Sequence, residues 1–158
     1  MNPLTPLIDN YLAGPALLRQ AVRDMTREQL LARPIAGLWS TLEVVCHLAD
    51  FDPILADRMK RIIAEDHPKL LGADEKRFAA ALAYQERDLE EELTLLEMTR
   101  AQMGRILRTL SPDALKRVGV HNERGELTLE RLLTITTNHL PHHLAFIRQK
   151  RQALGLPA

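Results

Sequence analysis

His139 and His143 stand four residues apart in NHLPHHLAFI, the stretch from Asn138 to Ile147. At that spacing two side chains share one helix face, with Cβ atoms roughly 5–6 Å apart. One helix offers two imidazoles to one metal ion in this way. Two ligands leave a weak site, so a third must come from another element, and His47 qualifies because it shares a face with Val44, Phe51 and Ile54. Neutral imidazoles leave a divalent ion its full charge, and three of them leave a position open to water or substrate. A water or thiol bound there loses its proton near neutral pH, giving a nucleophile without a catalytic serine or cysteine. Taken alone, His47 reads better as a core histidine with one hydrogen-bonded nitrogen, and the 139/143 pair is evenly balanced. Together the three favour a metal. Imidazoles suit zinc, nickel, iron and copper alike, with zinc or nickel preferred here and iron next.

Four further residues are candidates for supporting roles. Asp50 lies one turn beyond His47 and can orient an imidazole by accepting its other N–H, or else is a solvated helix residue. Arg58 continues the face of His47, Phe51 and Ile54. Arg100 interrupts a stripe of leucines, where it either snorkels outward, the commoner case, or enters a pocket and binds an anionic group. His142 points about 100° away from His143 on an ideal helix and reads as a supporting or surface residue, unless a kink at Pro141 brings it into the site. His67 and His121 fall in loops and are expected in solvent. Cys46 reads as a buried structural thiol rather than a nucleophile.

Helices have to position these groups. A first segment carries Leu4, Ile8, Tyr11, Pro15, Leu18, Val22 and Met25 at steps of four and three, with a bend expected at Gly14-Pro15. A short extra turn is expected from Thr26 to Leu31. The second long segment starts at Ser40, which with Glu43 forms a capping box sequence behind Trp39, and runs to Glu65-Asp66 with a kink expected at Pro53. A long connection follows, in which Asp74 can cap a helix over 74–84. The third stripe is Leu89, Leu93, Leu96, Arg100, Met103, Leu107 and Leu110, ended by Ser111-Pro112. The fourth opens at Thr128, carries Leu132, Thr136, His139, His143 and Phe146, and closes at Gly155. No segment alternates with period two, so strands are not expected. The pattern specifies an all-α four-helix bundle as one domain over residues 1–158.

Composition sets the outer bounds. Lys+Arg and Asp+Glu each number 21, so no net charge draws the chain to nucleic acid or a membrane surface. One cysteine excludes an internal disulfide or a multi-cysteine metal site. The start MNPLTPLIDN lacks a signal sequence and no stretch is long and apolar enough to span a bilayer, so the expectation is a cytoplasmic protein acting on a small molecule. There is no H-E-x-x-H, no G-x-S-x-G, no glycine-rich phosphate loop and no repeated Glu-x-x-His.

Trp39-Ser40-Thr41-Leu42-Glu43-Val44-Val45-Cys46-His47-Leu48-Ala49-Asp50, then Arg58, then Gly125-Glu126-Leu127-Thr128-Leu129-Glu130, then His139-x-x-x-His143 resemble the DinB-like family in content and order. The resemblance implies a four-helix bundle holding one divalent metal on His47, His139 and His143, and association as a homodimer. It also implies metal-dependent chemistry with low-molecular-weight thiols in transferase or isomerase reactions; a nucleophile made on three histidines suits thiol transfer or hydrolysis equally well. Many relatives carry a glycine and a glutamine where this chain has Ala145 and Phe146. The competing expectation is a non-catalytic bundle that binds metal or a ligand for stability, sensing or a stress response.

Overall fold

A computed structural model describes residues 4–157. Four long helices, α1 (Leu4–Ala21), α3 (Thr41–Ala64), α5 (Leu89–Arg108) and α6 (Leu129–Ala153), make the bundle, with short α2 (Arg27–Leu31) and α4 (Glu75–Ala81) in the connections. α1 and α3 each pack mainly on α5 and α6, so α1 faces α3 across the diagonal. The starts of α3, α5 and α6 each have a side chain that takes over exposed amides. Ser40 Oγ accepts from the Glu43 amide while Glu43 Oε2 accepts from the Ser40 amide at 2.7 Å, the expected capping box. Thr128 accepts from the Arg131 amide to open α6, and Asp88 accepts from Glu90 and Glu91 to open α5. Gly155, at φ +71°, closes α6.

The Gly14-Pro15 pair, where a bend is expected, has a specific partner. α1 runs unbroken from Leu4 to Ala21. Pro15 has no amide to give the Tyr11 carbonyl, and Arg100 Nη1 donates to that carbonyl instead at 2.9 Å. A Cβ on Gly14 would strike the same guanidinium, so the Gly-Pro pair is a seat for Arg100. α3 and α6 likewise continue through Pro53 and Pro141.

Arg100 marks the waist of the bundle. One apolar cluster, including Ile8, Met59, Leu107 and Leu132, lies on one side, and a second, including Leu18, Leu48, Leu96 and Leu144, on the other. Between them Arg100 holds Asp52 through Nε and Nη2, the Tyr11 carbonyl through Nη1 and the Thr136 carbonyl through Nη2, which joins all four long helices at one level. Arg100, expected to snorkel or to enter a pocket, does neither: it is fully buried and each of its nitrogens has a partner.

A small sheet was not expected from the sequence. β1 (Lys69–Leu70) runs parallel to β2 (Val118–His121), which pairs antiparallel with β3 (Gly125–Thr128). Strands of two and four residues are too short to show alternation. The β2–β3 turn, with Gly125 at φ +70°, lays its side chains over one end of a cavity between α3 and α6.

Candidate metal centre

The histidine cluster grows out of two helix faces. His47 lies on the second turn of α3, just inside the capping box, and His139 and His143 lie on α6 one and two turns past Thr136. His47 and His143 are buried and His139 is half-buried. One ring nitrogen from each lies within 4.8 Å of those of the other two. The Nε2 atoms of His47 and His139 are 3.1 Å apart, and the His143 ring is centred 4.6 Å from His47 and 4.7 Å from His139. Trp39 and Phe51 flank the His47 ring at 5.3 and 4.5 Å.

These imidazoles are held neutral. Burial first, and the neighbouring His143 second, push His47 down to about 4. Burial and then the adjoining histidines push His139 and His143 down to about 3. The Nδ1 atoms of all three are buried without a hydrogen-bond partner. The one hydrogen bond on these rings joins Nε2 of His47 to Nε2 of His139, so among the described residues no hydrogen bond ties the rings to a group outside the cluster. Three convergent neutral nitrogens are the donor set that borderline divalent ions take. An ion with Zn–N bonds of 2.0–2.1 Å separates two nitrogens of a tetrahedron by roughly 3.3 Å, close to the His47–His139 spacing. The residues present fit a divalent metal.

The cluster opens on a cavity of about 900 Å³, at the upper end of the range of small-molecule sites. Phe51, Leu55, Leu132 and Phe146 give it apolar walls. Arg58 lines it, with Nε buried and unpartnered and one Nη donating to the Leu71 carbonyl. Burial, then the charge of Arg124, lowers the pKa of its guanidinium. His142 also lines the cavity but is exposed, its ring edge-on to His143 and Phe146.

Two expectations are corrected here. Asp50 does not orient an imidazole, because both its oxygens accept from Arg87, at 2.8 and 2.9 Å. The arginine lies 37 residues away, where helix spacing gave no hint of it. His121 is not in solvent: it is buried in β2, faces the cavity and accepts the Glu123 amide on Nδ1. His67 is exposed as expected, and Cys46 is a buried thiol pushed up to about 12 by burial.

Two cavity residues escaped the sequence reading. Glu75, at the start of α4, brings Oε2 to 3.9 Å from His47 Nε2 with half its side chain in water, and no periodicity relates α4 to α3. Lys150 was within reach, since one more step of four along the stripe from Phe146 lands on it.

The fold and the site together define a class, a four-helix bundle with a three-histidine cluster opening on a cavity. The chain belongs to the DinB superfamily, whose family description matches residues 11–147. An Oceanobacillus iheyensis protein named "Putative metal-dependent hydrolase" is 34% identical over 133 residues, 84% of this chain and 77% of that one. The "Putative metal-dependent hydrolase YfiT" of Bacillus subtilis is 33% identical over 142 residues, 89% of this chain and 80% of its own. A solved structure of YfiT, described as "a probable metal-dependent hydrolase with an unusual four-helix bundle topology", matches with a TM-score of 0.91 at 30% identity, covering 98% of this chain and 89% of that one. Among the described residues, no helix is long and apolar enough to cross a membrane.

Proposed function

We propose that this chain is a metal-dependent hydrolase that holds one divalent ion, zinc or nickel before iron, on His47, His139 and His143 and acts on a small molecule in the adjoining cavity. The observation that carries the reading is the convergence of three neutral imidazoles, each with an unpartnered Nδ1, on the wall of a cavity large enough for a substrate. When bound, such an ion supplies Lewis acidity and makes a protic nucleophile available at neutral pH. The chain's own residues do the rest. The imidazoles bring no negative charge to the site. Glu75 sits at the rim with a carboxylate oxygen near His47 Nε2, placed to accept the proton of an attacking nucleophile. Trp39, Phe51 and Phe146 shield the reacting centre from bulk water. Thiol transfer is the second reading: a cavity of about 900 Å³ has room for a low-molecular-weight thiol beside an electrophile. A bundle that held metal for stability alone would need no such cavity. A cytoplasmic homodimer completes the proposal, and light scattering tests its assembly.

The deciding experiment is metal content by mass spectrometry on untagged protein purified without chelators, with His47→Ala and His139→Ala alongside. About one equivalent in the parent and loss from both variants would support the site. Ester, amide and thiol-plus-electrophile screens on loaded and chelator-stripped protein then separate the two chemistries. A metal-free parent, or equal metal in all three proteins, would sink the reading.

A further inference from the structure

Lys150 is the residue in this bundle that its own fold does least to explain. It is 2% exposed, and among the described residues no carboxylate lies within ion-pair distance of its ammonium. Its one hydrogen bond is a long one, 3.4 Å to the Phe146 carbonyl of its own helix. The Phe146 ring adds a cation–π contact at 5.8 Å, near the limit for such contacts. The carboxylate whose charge acts on Lys150 is Glu43, but the Glu43 oxygens are already taken by Arg33 and the Ser40 amide. Burying an ammonium without a counter-charge is costly. The sequence nevertheless places a lysine, not a leucine, on the buried face of α6.

Its position says what the charge is for. Lys150 lines the same cavity as the three histidines, Trp39 and Phe146. It stands seven residues beyond His143 on α6, roughly 10 Å along the axis, and helix side chains lean back toward the N-terminus, which for α6 is toward the histidines. Lys150 therefore lies on the cavity wall within one small molecule's length of the cluster, with apolar residues between.

We propose that Lys150 is a specificity-determining residue whose counter-ion is supplied by the ligand: it receives a carboxylate or comparable anionic group of the molecule in the cavity and thereby sets that molecule's far end next to the histidines. The second half of this statement rests on the metal-dependent reading above; the first does not. The substrate class is then a small organic acid with an apolar middle, its reacting bond at the end away from the anion.

Trp39, the single tryptophan of the chain, lines the cavity and reports occupancy by its fluorescence. The probe is hexanoate, titrated into metal-free and metal-loaded protein beside its neutral analogue hexanamide, with Lys150→Met and Lys150→Arg. Expected is saturable binding of hexanoate to both forms of the parent, at least tenfold tighter than hexanamide, and loss of that preference in Lys150→Met. Metal content should stay at the parent level in Lys150→Met, and its Tm should be equal or higher because an unpaired buried charge has gone. If Lys150→Met lowers Tm instead, Lys150→Arg decides: restored preference for hexanoate supports the proposal and no restoration overturns it. Equal binding of acid and amide by the parent, no binding of either, or unchanged hexanoate binding in Lys150→Met overturns it. Failure of the metal reading shows separately, as a parent without metal in which Lys150 still governs hexanoate binding.

Discussion

Two polar clusters lie a helical turn apart in the same bundle and are built to opposite rules. At the waist, Arg100 and Asp52 are sealed from water and each guanidinium nitrogen is bonded, to Asp52 or to the carbonyls of Tyr11 and Thr136. Burial pushes the Asp52 carboxyl up, and the hydrogen bonds and charge of Arg100 oppose it. One turn along α6, three histidines present nitrogens to a cavity and leave every Nδ1 without a partner. A closed network of this kind has nothing left with which to bind a ligand. The open one has left its valences to something from outside, and this contrast separates a residue that organises the fold from one that serves the site.

The contrast can be broken most severely at the waist. Asp52→Ala would leave a buried guanidinium unpaired and should cost about 3–5 kcal/mol in urea unfolding, whereas replacing both partners, Asp52→Leu with Arg100→Met, should recover most of that. A double variant as unstable as the single one would show that the network does more than neutralise itself. The histidine cluster should respond to ions instead. At a free concentration a hundred times its Kd, a bound ion adds about 2.7 kcal/mol to unfolding, visible as a rise in Tm, and this rise should vanish in His139→Ala. Equal ion-induced shifts in parent and variant would refute the assignment.

Glu43 stands between the extremes, buried but joined to an arginine half in water. Burial works to raise its carboxyl, but the hydrogen bonds from Arg33, Ser40 and Gln85 and the charge of Arg33 prevail and hold it at about 2, against 4.5 for the free group. A carboxylate depressed in the folded state stabilises above its unfolded pKa and stops doing so as pH falls through the folded one. The Tm gap between the parent and Glu43→Gln should therefore be full above pH 4.5 and close toward pH 2. At neutral pH it should be worth about 1 kcal/mol, since solvent screens the pair. A gap independent of pH would mean that the charge of Glu43 beside Arg33 does not stabilise the fold. His142→Ala should change least, with metal content and Tm at parental levels. Loss of metal in that variant would move His142 from the cavity rim into the ligand set.

The long helices were legible in the sequence because burial repeats every three or four residues along them, and their ends because Ser40, Thr128 and Gly155 act on their own neighbours. The histidine triad was legible for the same reason: two members share a helix face and the third lies on another inward stripe. What the sequence concealed is pairing between elements. The Arg87–Asp50 and Arg100–Asp52 bonds join residues 37 and 48 apart, and the β1–β2 pairing, which puts His121 against the cavity, joins segments about fifty residues apart with too few residues to carry a period. Glu75 was hidden likewise, since the orientation of α4 depends on a long connection.

The missing amide of Pro15 carries a last consequence. Because the Tyr11 carbonyl lacks its own helix's donor, Arg100 plugs α1 into the same level at which it grips α3 and α6. A helix sliding by one turn, about 5.4 Å, would pull a charged plug from its socket. The long helices are thus keyed in register by the chain alone, and the key lies one turn from His139. On the proposed metal reading, assembly and loading then become separate events, with the histidine cluster finished by the fold before an ion arrives.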